Sequence, residues 1–206
     1  MKNRVNFCIA VGLLTQIFGC GSKTMISPRI NLRLYEIVGF IEFRSSSKGK
    51  LPSFASREFL QEIRVDQGLI RIVELGTEEV VLKEIGRDRL DQEAYKALGS
   101  RYDVKTIIGG ELEVSDVRPD ISITPGLGLI SIEAEVDASL AVQLVETATG
   151  ASLWSASGSA TEKVAQVSVL GGNDFTFDAG DPEKAYGKLI HRLVERVSKD
   201  FRASRK

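Results

Sequence analysis

From Ile130 to Leu144 every even position is apolar: Ile130, Ile132, Ala134, Val136, Ala138, Leu140, Val142 and Leu144. The odd positions are mostly Ser131, Glu133, Glu135, Asp137, Ser139 and Gln143. A period of two held this long predicts one long strand with a buried face and a wet face. Such a strand needs a pairing partner and a cover. "ETATGA" (146–151) supplies a Gly-containing turn, and "SLWSASGSATEKV" returns beyond it as an antiparallel partner. The carboxylates of Glu133, Glu135 and Asp137 share the wet face, with Glu111, Glu113 and Asp116 on a strand nearby. Their strict alternation with apolar partners reads as the solvated side of a half-exposed sheet, against the alternatives of a divalent-cation site or acid–base pair.

The cover is supplied on both sides of this hairpin. "LYEIVGFIEF" (34–43) is apolar on both faces and predicts a central strand of a covered sheet. "RSSSKGKLP" (44–52) is a loop by its Ser, Gly and Pro content, and "SFASREFLQEIRVDQG" (53–68) predicts a helix burying Ala55, Phe59, Leu60 and Ile63, with Gly68 as its stop. "LIRIVEL" (69–75) is a second strand. Residues 90–103 predict a second helix, started by Asp88 or Asp91, with Leu90, Ala94 and Leu98 inward. A third strand, 104–117, is buried first and then alternates. Residues 181–204 predict a final amphipathic helix entered at Asp181-Pro182, with a stripe of Tyr186, Leu189, Ile190, Leu193, Val194, Val197 and Phe201. The fold class is therefore α/β: a mixed parallel and antiparallel sheet covered by helices, with a long antiparallel hairpin and a C-terminal amphipathic helix.

One phrase within this layout carries a resemblance. Val142, Leu144, Val145, Thr149, Gly150, Leu153, Trp154 and Ser155 stand in the spacing V-x-L-V-x-x-x-T-G-x-x-x-W-S. Together with the strand ending near Phe40 and Phe43, "IRIVEL" and "VKTIIGGELEV", it resembles the domain shared by the CsgG-like curli-secretion lipoproteins, the penicillin-binding-protein activator lipoprotein LpoB and the amino-terminal domain of TolB. The likeness spans about residues 30–204 and rests on structural positions: Thr149-Gly150 makes the turn, and Trp154 is expected to be largely buried beside the final helix. It implies one periplasmic domain over 31–206.

The amino terminus points to the same compartment. Lys2 and Arg4 precede an apolar run reaching Gly19, the layout of a bacterial secretory signal. The run is too short for a membrane span of about 20 residues. It ends at Ile17-Phe18-Gly19-Cys20, which resembles a lipobox, in which cleavage between Gly19 and Cys20 leaves a diacylglycerol on the cysteine thiol and a further fatty acid, such as palmitate, on its amine. The 186 residues after Cys20 hold no cysteine, so an exported chain with a free Cys20 would carry an unpaired thiol in an oxidising compartment, and acylation removes it. The expected organisation is a signal peptide over 1–19, a lipidated tether over 20–30 and the domain over 31–206. Gly21, where an Asp would retain the chain at the inner membrane, favours the outer membrane.

Composition and motifs narrow the function further. Without Lys2 and Arg4, 25 basic residues face 28 acidic ones, and no clustered basic face suggests a nucleic-acid partner. His191, the single histidine, has no cysteine or second histidine beside it to complete a zinc site and reads as a surface or boundary residue. No G-x-S-x-G elbow and no phosphate-cradling glycine motif is present. The expectations are no enzyme, no catalytic residue, no metal and no cofactor. Two functions remain. One is a lipid-anchored interaction module facing the periplasm from the outer membrane and binding another envelope protein; the other is a subunit of a homo-oligomeric CsgG-like secretion pore. In the pore, "DISITPGLGLISI" (120–132) and "AQVSVLGGNDFTFD" (165–178) would be membrane hairpins. Arms of about five residues in the second, and Asp116, Arg118, Asp120, Glu133 and Glu135 along the first, favour soluble hairpins and the module.

Overall fold

The computed structural model describes residues 25–26, 29–124, 129–165, 167–169 and 175–205. Gly19 and Cys20, and with them the signal peptide and most of the tether, lie outside the described residues. Described strands are β1 (Met25–Ile26), β2 (Val38–Ile41), β3 (Arg44–Ser45), β4 (Lys48–Gly49), β5 (Ile72–Gly76), β6 (Thr106–Thr124), β7 (Leu129–Glu146), β8 (Ser152–Ala165), β9 (Ser168–Val169), β10 (Phe175–Phe177) and β11 (Ser204–Arg205). The helices are α1 (Leu51–Gln67), α2 (Glu78–Ile85), α3 (Gln92–Tyr102) and α4 (Pro182–Val197).

The main sheet has the order β5-β2-β6-β7-β8, with β3 added to β6. β2 pairs in parallel with β5 on one side and with β6 on the other, while β6–β7 and β7–β8 are antiparallel. The α/β class with a mixed sheet, a long hairpin and a C-terminal amphipathic helix is therefore what the chain adopts. All four residues of β2 are buried, as a strand covered on both faces requires. One face carries α1 and α4: Phe40, Phe43, Leu112 and the even residues of β7 from Ala134 to Leu144 meet Phe59, Ile63, Leu189, Leu193 and Phe201. α2 and α3 cover the other face over β2, β5 and the start of β6, where Ile41, Leu75, Ile107 and Val145 meet Val81, Tyr95 and Leu98.

The turn between β7 and β8 follows from Thr149 and Gly150. Gly150 sits at φ 70°, a left-handed conformation that glycine adopts without a Cβ penalty, and its N–H donates to the Glu146 carbonyl at 2.8 Å. The Thr149 hydroxyl donates to the Glu146 carboxylate at 2.6 Å. Asp181 caps α4 as its side chain accepts from the Lys184 N–H.

Several boundaries differ from the expectation. The first strand begins at Val38 because Leu32–Leu34 form a 3-10 turn capped by the Asn31 side chain. α1 begins at Leu51, with Pro52 in its first turn where its missing N–H costs nothing. β5 starts at Ile72, since Leu69 is wholly exposed. α2 was outside every predicted element, although Thr77 caps it, Glu78 and Glu79 fill its first turn and Gly86 closes it. The last helix ends at Val197, and Phe201 reaches the core from a separate 3-10 turn over Lys199–Phe201. Trp154 is half-buried rather than buried. It packs against Phe201 (centroids 4.6 Å, 74°), past the end of α4.

Candidate functional site

The length of β6 and β7 builds the most distinctive surface. Beyond α2 and α3 no described helix packs on the outer face of β6, β7 and β8, and a bulge between Val114 and Asp116 shifts β6 by one residue. The shift sets Asp116 opposite Asp137 and Arg118 opposite Glu135, while Thr161 of β8 stands opposite Asp137. Like charges facing each other across strands repel. Arg118 resolves this: its guanidinium donates to Asp137 at 2.8 Å and also to Asp116 and Glu135. The other oxygen of Asp137 accepts from the Thr161 hydroxyl at 2.6 Å. Contact with Asp137 first, and then Glu135, raises the Arg118 pKa above its ordinary value. The Arg118 and Thr161 hydrogen bonds lower that of Asp137.

The opposite face of this stem is not free. Ala134, Val136 and Ala138 are buried beneath it, and Val114 and Val117 pack half-buried against the same core. β8 ends with Ala165 opposite Glu133. Past that row the pairs Ile121–Ile132, Ser122–Ser131, Ile123–Ile130 and Thr124–Leu129 continue as a two-stranded ribbon. The stretch 120–132 is thus the end of the long hairpin, not a hairpin of its own; its tip, 125–128, lies outside the described residues. In the second candidate, 165–178, β9 and β10 pair with Val169 opposite Phe175, and β10 adds in parallel to β4.

The predicted carboxylate groups are divided. Asp116 joins Glu135 and Asp137 around Arg118, whereas Glu111 pairs with Arg44 at 2.8 Å. Among the described residues no group of three or more His, Cys, Asp and Glu is arranged to hold a metal ion. His191 is exposed on α4. A cleft of about 610 Å³ lies between the outer sheet face and the start of α3, lined by Arg44, Glu78, Tyr95, Glu111, Gln143 and Ser155 among others. Its charges are spent on each other: Arg44 also stands 3.8 Å from Glu78, and Gln143 donates to the Tyr95 hydroxyl at 3.3 Å. The Arg118 cluster is the feature that sequence reasoning missed, because the bulge that aligns it leaves no mark in residue spacing. No helix among the described residues is long and apolar enough to cross a membrane.

No protein-family model matches the sequence, and none of the curated proteins matches it. Among solved structures the chain is similar to the PelC dodecamer from Paraburkholderia phytofirmans (12% identity, TM-score 0.48, 89% of this chain and 98% of that one). It is also similar to the LpoB C-terminal domain from Salmonella enterica (10%, TM-score 0.36, 66% and 84%). A third is lipoprotein GNA1162 from Neisseria meningitidis (14%, TM-score 0.35, 62% and 83%). LpoB is one of the proteins that the sequence resembles. At these levels of likeness no role passes from these proteins to the present chain.

Proposed function

We propose that the protein is a lipid-anchored module of the bacterial outer membrane whose domain faces the periplasm and engages another envelope protein through the long β6–β7 hairpin. The observation that carries the choice over a pore is the length of the free ribbon. Four residue pairs extend past β8, whereas a membrane-spanning strand needs about 9–11 residues. The preceding stem cannot be borrowed for a span, since one face is under the core and the other carries the Arg118 cluster. An extended two-stranded arm with unpaired edges suits pairing with a partner's strand.

The anchor rests on the sequence. A basic start, an apolar run and Gly19-Cys20 support cleavage before Cys20 and acylation of its thiol, with two or more acyl chains giving stable attachment. Gly21 supports the outer membrane. No catalytic role is part of this reading, and the partner is defined only as a periplasm-accessible protein.

Conductance of the purified protein in planar bilayers, with its oligomeric state measured in detergent, tests the choice. A small oligomer without conductance is expected; a stable ring with steady conductance would overturn the module. Mass spectrometry of the mature amino terminus tests the anchor, and an unmodified Cys20 or a cut elsewhere would exclude it.

A further inference from the structure

The described part of the chain enters and leaves at one pole, gathered around Gln67. The Gln67 side chain accepts from the Leu32 N–H at 2.9 Å and donates to the carbonyls of Ile30 and Phe201. Next to it the Asp66 carboxylate accepts from the Ala203 N–H at 3.0 Å, and β11 pairs with β1, the first described piece of the chain. Large apolar side chains are exposed at this same pole: Leu34 at 75%, Val65 at 69% and Leu69 at 102%. Leu34 and Leu69 belong together, because Arg33, beside Leu34, donates to the Gln67 carbonyl at the end of α1 and lies over Gly68, beside Leu69; Val65 is in the last turn of the same helix.

Arginines surround these residues. Arg29 is 85% exposed, Arg33 donates to a backbone carbonyl, and Arg71 is exposed. The nearby carboxylates are already engaged: Asp66 by Ala203, and Asp200 by Arg29 and the Trp154 indole N–H. Apolar side chains ringed by cations match the boundary between acyl chains and anionic headgroups.

We propose that this pole lies against a phospholipid surface, with Leu34, Val65 and Leu69 in the headgroup region and Arg29, Arg33 and Arg71 among the phosphates. The inference deepens the anchor reading and rests on it for its geometry. Four residues separate Cys20 from Met25, so an acylated Cys20, five Cα steps away, holds β1 within about 18 Å of the membrane. A single short tether leaves a domain free to turn; an apolar contact would fix its orientation. β2, β5 and β6 all run away from this pole in parallel, and β6 continues for 19 residues, on the order of 60 Å. The docked domain therefore holds the far end of β6 and the start of β7 away from the bilayer, where a periplasmic partner can reach them.

The test uses the full chain expressed in a bacterial host, purified in the form the cell makes, and mixed with or reconstituted into phosphatidylethanolamine–phosphatidylglycerol vesicles. Leu69→Cys, Arg89→Cys and Thr124→Cys each receive an environment-sensitive fluorophore, with the parent chain as the blank for native thiols. Arg89 lies beyond α2 and is 84% exposed; Thr124 lies at the far end of β6. Docking is expected to give a blue shift and loss of emission to lipid-borne nitroxide at position 69 alone. Quenching at 124 without quenching at 69, or emission at all three reached only by aqueous iodide, would overturn it, as would equal quenching at 69 and 89. The amino-terminal mass is read separately. An unmodified Cys20 with a lipid-quenched position 69 removes the anchor and keeps the docking; an acylated Cys20 with position 69 in water does the reverse.

Discussion

Gln67 and Phe201, 134 residues apart in sequence, are joined by a hydrogen bond of 2.7 Å from the Gln67 amide to the Phe201 carbonyl. Gln67 is 2% exposed, and the same side chain also satisfies the Leu32 N–H and the Ile30 carbonyl. One residue at the end of α1 thus pairs backbone groups from both ends of the domain.

Gln67→Leu is expected to lose about 3 kcal/mol or more, since it leaves one buried donor and two carbonyls without their partner and each orphan costs about 1–3 kcal/mol. Urea unfolding measures the loss. A change within experimental error would mean that solvent reaches these groups.

Tyr186 leads to the opposite expectation. Its hydroxyl is buried without a hydrogen-bond partner among the described residues, while its ring packs against Phe54 and Phe177 at 5.7 and 6.2 Å. Tyr186→Phe keeps the ring and removes the orphan, so stability should stay level or rise by up to about 1 kcal/mol. Burial first, and then Asp178, push the phenol up to about 12. A raised value favours the protonated folded state, so this group's contribution is intact below the ordinary value of 10.0 and is lost as pH climbs toward about 12. The phenylalanine variant should lack that part of the alkaline loss. A clear drop in the thermal transition of Tyr186→Phe at neutral pH would contradict the assignment.

The Arg118 cluster is tested by titration. Asp137 lies below its ordinary value of 3.8, chiefly through the Arg118 hydrogen bond. Its contribution to stability is thus present above 3.8 and is lost as pH falls through the lower folded value. In Arg118→Met the carboxyl resonance of Asp137 should titrate at higher pH than in the parent. An unchanged midpoint would mean that Arg118 does not hold it.

Trp154 is tested through its two contacts. Trp154→Ala is expected to cost about 3 kcal/mol, the low end for a large aromatic ring because this one is only half-buried. Its indole N–H donates to Asp200 at 3.0 Å, so Trp154→Phe, which keeps the Phe201 contact, should cost nearer 1 kcal/mol. Emission should lie between buried and exposed extremes. A fully exposed spectrum would exclude the Phe201 contact.

The sheet was legible where period alone sets structure. The alternation from Ala134 to Leu144 reappears as an alternation of burial, because a strand's two faces are fixed by its pleat. α4 was legible for the corresponding reason, its stripe from Tyr186 to Val197 lying buried. α2 was not, since eight residues bury only Val81 and Leu82 and give no periodic stripe. Its caps, Thr77 and Gly86, were the readable signal. The start of β2 was misplaced because Leu34 is an exposed residue of the 3-10 turn, and apolar character alone does not show which leucine is buried. At the site, the sequence indicated a polar face and its charges. The grouping of Asp116 with Asp137 needed the bulge after Val114, and the exposed Leu34, Val65 and Leu69 are far apart until α1 folds back.

The order of strands in the sheet also sets how the chain must find its fold. β6, β7 and β8 are neighbours in sequence and in space, so their pairing closes only short loops. Pairing β2 with β6 must first close the stretch between Phe40 and Ile108, and the entropy of closure is lost before any contact compensates for it. The meander can therefore form as a local template, with β2 and β5 added afterwards. The Gln67–Phe201 bond, spanning more chain than any of these pairings, can close only once both halves are in place.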